Sequence, residues 1–190
     1  MKNIAIFASG TGSNATKIVA HLNNHSSIKV ALIVSNKSTA PVLQMAANNN
    51  IPTLLLNRHD FYNTEKLLED FTKYKIDFIA LAGFLWLVPP YLVQAFENKI
   101  VNIHPALLPK YGGKGMYGMN VHKAVHANNE KESGITIHFV NEQYDEGNSI
   151  FQASCPIHPQ DDPSTIQQKV LVLEHQYFPI IIESLLLSNS

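Results

Sequence analysis

A chain of 190 residues, 45% of them hydrophobic, can bury a sizeable core and is too apolar to belong to the disordered class. Its 14 basic and 15 acidic residues leave a formal charge of −1, which supplies no footprint for nucleic acid or an anionic membrane. A lone cysteine (Cys155), no apolar run near membrane-spanning length and an N-terminal apolar stretch too short for a signal peptide together suggest one cytoplasmic domain over residues 1–190.

Residues 4–8 read as a strand and are followed by a glycine loop and a helix over about 14–24. Strand 28–35 and helix 41–49 come next, then a short strand at 53–56. Residues 61–74 read as an amphipathic helix with Phe61, Leu67, Leu68 and Phe71 as its apolar stripe. Strand 78–82 is apolar enough to be fully buried. Pro89 and Pro90 open a helix, because proline is tolerated in a first turn. Another strand covers 99–103. This β-α-β rhythm points to a doubly wound, Rossmann-like parallel sheet covered on both faces. The last third changes style. Strands 134–140 and 149–155 are joined by a polar loop too short for a crossover helix, so they should run antiparallel. Asp162 and Pro163 suit the N-cap and first position of a final helix, in which Ile166, Val170, Leu173 and Tyr177 keep helical spacing. Pro179 should kink or interrupt that helix.

Two stretches carry chemistry. In the loop Ser9-Gly10-Thr11-Gly12-Ser13-Asn14, glycines let the backbone turn tightly and approach a ligand, and the next helix presents free N–H groups to an anion. A dinucleotide fingerprint expects an acidic residue roughly 20 positions on. Here that region reads Val34-Ser35-Asn36-Lys37, so a monophosphate suits the loop better than a dinucleotide, and a ligand-free βα turn is the plain alternative. The second stretch is Val101-Asn102-Ile103-His104-Pro105. In a strand Asn102 and His104 share a face, and Pro105 ends the ladder. An amide donor beside an imidazole at a strand's C-terminal end is what attack on a carbonyl needs: one group to hold the oxyanion and one to move a proton. Asp145 by itself reads as a turn residue ahead of Gly147. His138 reads as a satisfied core residue. His122 and His126 are spaced i, i+4 but lack a third ligand and the Glu of a zinc-protease helix, and read as surface or packing residues.

The run from Asn102 to Lys110 resembles the core motif of the folate-dependent formyltransferases. So do Ile6-Phe7-Ala8-Ser9-Gly10-Thr11-Gly12-Ser13-Asn14, Leu81-Ala82-Gly83-Phe84, Gly134-Ile135-Thr136-Ile137-His138-Phe139-Val140, Tyr144-Asp145-Glu146-Gly147 and Glu174-His175, in family order along nearly the whole chain. The resemblance implies formyl transfer from the co-substrate 10-formyltetrahydrofolate to the amine of glycinamide ribonucleotide, in purine synthesis and without a metal. It implies Asn102, His104 and Asp145 as catalytic residues, with Asp145 orienting the imidazole and favouring its protonated form. Gly12, Ser13 and Asn14 would take the substrate phosphate and Glu174 its ribose. Phe84, Leu85, Trp86, Leu87 and Val88 would form the pteridine slot, read by backbone groups. Trp86 stands where several relatives carry Arg, which leaves the holder of the folate tail unassigned. Residues 110–118 resemble a movable loop over the site. The partners implied are small molecules, not nucleic acid or membrane, for a monomer or weak homodimer. Another folate-dependent formyltransferase, or a non-catalytic nucleotide-binding module, are the alternatives.

Overall fold

In the computed structural model, which describes residues 1–188, seven strands form a sheet flanked by helices. The strands are β1 (Lys2–Phe7), β2 (Ile28–Ser35), β3 (Thr53–Leu55), β4 (Ile76–Leu81), β5 (Ile100–His104), β6 (Glu132–Phe139) and β7 (Ser149–Pro156). The helices are α1 (Ser13–His21), α2 (Pro41–Asn48), α3 (Arg58–Asn63), α4 (Lys66–Tyr74), α5 (Pro90–Ala95), α6 (Met119–Ala127) and α7 (Pro163–Ser188). Sheet order is β3-β2-β1-β4-β5-β6-β7. Neighbours among β1 to β5 pair in parallel; β6 pairs antiparallel with β5, and β7 with β6. The chain winds outward from β1 to β3, then returns to the other side of β1 as β4. The C-terminal ends of β1 and β4 therefore flank a topological switch point, where sheets of this kind open a crevice.

The two-residue period of β1 builds both faces. Ile4, Ile6 and Ala8 pack with Ile18, Val42, Val121, Val170 and Phe178. Ala5 and Phe7 pack on the opposite face with Phe61, Leu67, Phe71 and Leu92. A strand buried on both sides must be apolar throughout, and β1, β2 and β4 are nearly so.

Several expectations shift. The helix expected at 61–74 is two helices, because Asn57 caps α3 by accepting from His59 N (2.8 Å) and Asp60 N (3.2 Å) and Thr64 is extended. The first helix ends at His21, with turns after it. β5 runs one residue further than expected, to His104. Pro179 lies inside α7 without ending it. The missing backbone donor costs one ladder bond, and burial of Phe178, Ile182 and Leu186 on the sheet holds the helix across the gap. By length and composition α7 could cross a membrane, contrary to the expectation that no run could. In this fold one face of it packs into the core, with Ile166, Val170 and Phe178 fully buried, while Val172, Ile180 and Leu187 are exposed.

Candidate active site

β5 sets the centre of the site. Asn102 and His104 project from one face, and the antiparallel register puts His138 opposite Asn102 and Thr136 opposite His104. Thr136 is buried; its hydroxyl donates to Ala106 O (2.7 Å) and accepts from Leu108 N (3.0 Å), which pins the turn after the strand. Asp145 arrives from the β6–β7 loop with φ +57°. That loop folds back closely: a Cβ at Gly147 would lie 1.6 Å from Phe139 O, so no larger residue fits.

Asp145 gathers the polar groups. Its Oδ2 lies 3.4 Å from His104 Nδ1 and accepts from Gly113 N at 2.9 Å. Its Oδ1 lies 3.5 Å from Asn102 Nδ2 and 3.6 Å from His138 Nε2. Burial alone would raise this carboxyl, but the His104 imidazole, its charge and the Gly113 amide outweigh it and hold Asp145 well below the usual carboxylate range. His138 donates from Nδ1 to Phe139 O (2.8 Å), which leaves Nε2 to accept from Asn102 Nδ2 (3.1 Å). The Nε2 of His104 lies 2.8 Å from Tyr111 O, in the 110–118 loop. Both nitrogens of His104 thus face acceptors, and the ring can give a proton to each only as imidazolium. The donors of Asn102 and His104, expected to be free for an oxyanion, are turned onto protein acceptors here. Tyr111 is itself held, its hydroxyl donating to Glu130 Oε1 (2.9 Å), which also takes Lys110 Nζ (2.9 Å).

Around this centre opens a cavity of about 670 Å³. Thr11, Ser13, Asn14 and Glu174 line its polar end. α1 starts there with Gly12 at φ +74°, no side-chain cap and no acidic residue in the first turn, so its backbone N–H groups are open to an anion. Gly12 does not line the wall. No larger residue fits there, since a Cβ would lie 2.4 Å from Val42 Cγ2. Asn14 Nδ2 donates to Glu174 Oε2, and Asn14 Oδ1 is buried without a partner. Burial pushes the Glu174 carboxyl up, opposed by the Asn14 bond and the His104 charge.

Phe84, Leu85, Trp86, Leu87 and Val88 line the apolar end. Phe84 meets Phe7 edge-on at 5.0 Å and Phe61 at 5.9 Å, and Trp86 tilts against Phe61 at 5.6 Å. The Arg58 guanidinium lies over the Trp86 ring at 5.6 Å. Ser9 Oγ accepts from Leu85 N (3.0 Å), tying the slot to the glycine loop.

All the residues expected at the site except Gly12 therefore meet in one cavity. His138 and His122 line it too, and sequence reasoning placed neither there. The signal for His138 was its strand parity, which puts it on one face with Thr136; the register of β6 on β5 then sets it opposite Asn102. His122 and His126 do not act as a pair, since His122 is buried and His126 exposed.

Comparison with known proteins follows this geometry. The formyl transferase family profile matches residues 2–182. The chain is 41% identical over 187 residues to a chloroplastic phosphoribosylglycinamide formyltransferase of Arabidopsis thaliana, covering 95% of this chain and 64% of that one. It is 35% identical to the phosphoribosylglycinamide formyltransferase of Bacillus subtilis, covering 100% of this chain and 97% of that one. The chain thus spans 64% of the Arabidopsis relative, and 61% of a similar one from Vigna unguiculata. A crystal structure of phosphoribosylglycinamide formyltransferase from Bacillus halodurans superposes with a TM-score of 0.87 at 34% identity, over 97% of this chain and 95% of that one.

Proposed function

We propose a function for this chain from one premise: it belongs to the formyl transferase family. The function is transfer of a formyl group from 10-formyltetrahydrofolate to the amine of glycinamide ribonucleotide, a step of purine synthesis. One observation carries it. A single cavity joins an apolar slot, an uncapped helix N-terminus and, between them, the Asn102, His104 and Asp145 cluster. Those three parts suit a flat heterocycle, a phosphate and an acyl transfer.

The slot at residues 84–88 holds the pteridine, and the N-terminus of α1 with Ser13 and Asn14 holds the phosphate. Glu174, steadied by Asn14, takes the ribose hydroxyls. The substrate amine then attacks the formyl carbon, and the carbonyl π pair moves onto oxygen. Asn102 Nδ2 and His104 Nε2 hold that oxyanion. His104 Nε2 becomes free when the 110–118 loop withdraws the Tyr111 carbonyl, and Asp145, bonded to Gly113 in the same loop, keeps the imidazolium oriented. As the oxyanion's electron pair re-forms the carbonyl π bond, the C–N bond to the folate breaks and its electron pair stays on the folate nitrogen. The proton on the new ammonium passes by way of Asp145 and His104 to the departing nitrogen. The test is to mix the protein with 10-formyltetrahydrofolate, with and without glycinamide ribonucleotide, and follow the deformylated folate by absorbance. Amine-dependent deformylation is expected. Its absence would defeat the reading.

A further inference from the structure

Among the described residues, His122 is the one buried residue of the cavity wall that the reaction above does not use and that folding alone does not explain. It is 2% exposed and sits on α6, which packs against α7. Its Nδ1 is buried without a hydrogen-bond partner, whereas its Nε2 is not among the buried unsatisfied atoms of the described residues and is left to the cavity that the ring lines. A ring nitrogen removed from water without a partner costs stability. An apolar side chain of similar size would fill the same space more cheaply. Burial, reinforced by the nearby His104 charge, pushes the His122 imidazole down to about 4, so it is neutral near pH 7. A neutral ring carries one proton. A buried lone pair without a partner is tolerated better than a buried N–H without one, which places the proton on Nε2 and leaves Nδ1 bare. The donors of His104 and Asn102 are meanwhile committed to Tyr111 O, Asp145 and His138.

We propose that His122 is a further catalytic residue: its Nε2–H donates to the formyl oxygen as that oxygen takes up negative charge. The inference rests on the formyl-transfer reading. His122 supplies a neutral donor already free in the resting protein, while His104 must first shed the Tyr111 carbonyl. The contact forms in the transition state, so it acts on turnover more than on affinity.

Three measurements test it. First, His122→Leu should melt at or above the wild-type temperature, because an unsatisfied polar group is removed, while kcat falls roughly 10²-fold. The KM for each substrate should stay within about threefold, as expected of an interaction made in the transition state. Second, His122→Gln, which keeps an N–H at similar reach, should recover part of the loss. Third, nitrogen-15 NMR of the histidine rings in the ligand-free protein should find the His122 proton on Nε2. A near-wild-type kcat in His122→Leu, a loss confined to KM, or a proton on Nδ1 would each overturn the inference. If His122→Leu does not fold, the glutamine variant and the NMR measurement still decide. An inactive wild type defeats the functional reading itself; an active wild type with an unimpaired leucine variant defeats this inference alone.

Discussion

The two ends of the cavity are built on opposite principles. At the apolar end, Phe7, Phe61, Phe84 and Trp86 lock one another, edge to face except for the tilted Phe61–Trp86 pair, and the shape follows from side-chain packing. At the polar end and the centre, the groups stand in states that folding alone would not favour. Asp145 is held ionised despite burial, Glu174 is pushed toward its neutral form, and Asn14 Oδ1 and His122 Nδ1 are buried without partners. The apolar end can therefore gain stability from the contacts that define it. The polar end stores unsatisfied polar groups that a ligand could satisfy, which marks it as the region where stability is given up for chemistry.

Substitutions at the centre should break this contrast most sharply. Asp145→Asn keeps the size of the side chain but removes its charge, and kcat should drop by about 10³-fold or more, read in steady-state kinetics. The same substitution gives a stability signature. The Asp145 carboxyl is lowered on folding, so its contribution is present above the unfolded carboxylate value and is lost as pH falls through the folded one. Denaturant curves of wild type and Asp145→Asn should thus differ most near neutrality and converge in strong acid. Curves that stay parallel would make Asp145 a turn residue only.

Next comes Asn102→Ala, which should fold and lose about 10²- to 10³-fold in kcat, the usual result of removing one oxyanion donor. A near-wild-type rate would leave Asn102 as a partner of His138 and nothing more. His122 gives an effect of similar size on stability. Its folded value, about 4, lies below the ordinary 6.5, so its neutral form is favoured on folding. Stability is full above pH 6.5 and is lost as pH falls toward 4, by at most about 3 kcal/mol. His122→Leu should lack that part of the acid sensitivity when unfolding is compared at pH 7 and pH 4.5. Equal acid sensitivity in both proteins would mean the ring is not held neutral.

The two ends can also be separated by ligand. Ser13→Ala with Asn14→Ala should weaken glycinamide ribonucleotide about tenfold in calorimetry and leave folate affinity unchanged. Trp86→Ala should do the reverse with a smaller effect, a few-fold on the folate, because one face of the slot is lost while Phe84 remains packed. If each double or single variant weakened both ligands equally, the division of the cavity into two ends would fail.

How much of this was legible in the chain depends on the range of the interaction. Continuous apolar runs of strand length identified β1, β2 and β4, since a parallel strand buried on both faces can be little else. The same-face spacing of Asn102 and His104 and the stop at Pro105 are local, and both held. The split between α3 and α4 was hidden because Phe61, Leu67 and Phe71 keep facing one core across the break; the local marks are the Asn57 cap at the start of α3 and Thr64 at the break, whose hydroxyl donates to Asp60 O (2.9 Å). Pro179 misled in the other direction, since a local rule for proline gave way to burial on the sheet.

The sequence by itself determined the alternation of strands and helices, the antiparallel ending, the anion-ready glycine turn and the amide–imidazole pair, because each depends on residues within a few positions of one another. Only the tertiary structure decided what surrounds that pair. Asp145 reaches His104 across 41 positions by returning over the strand ends, and His138 reaches Asn102 through strand register. His122 is buried by the packing of α6, while His126 four residues on stays in water. Burial, desolvation and the direction of a hydrogen bond are properties of the assembled neighbourhood, and no spacing along the chain encodes them.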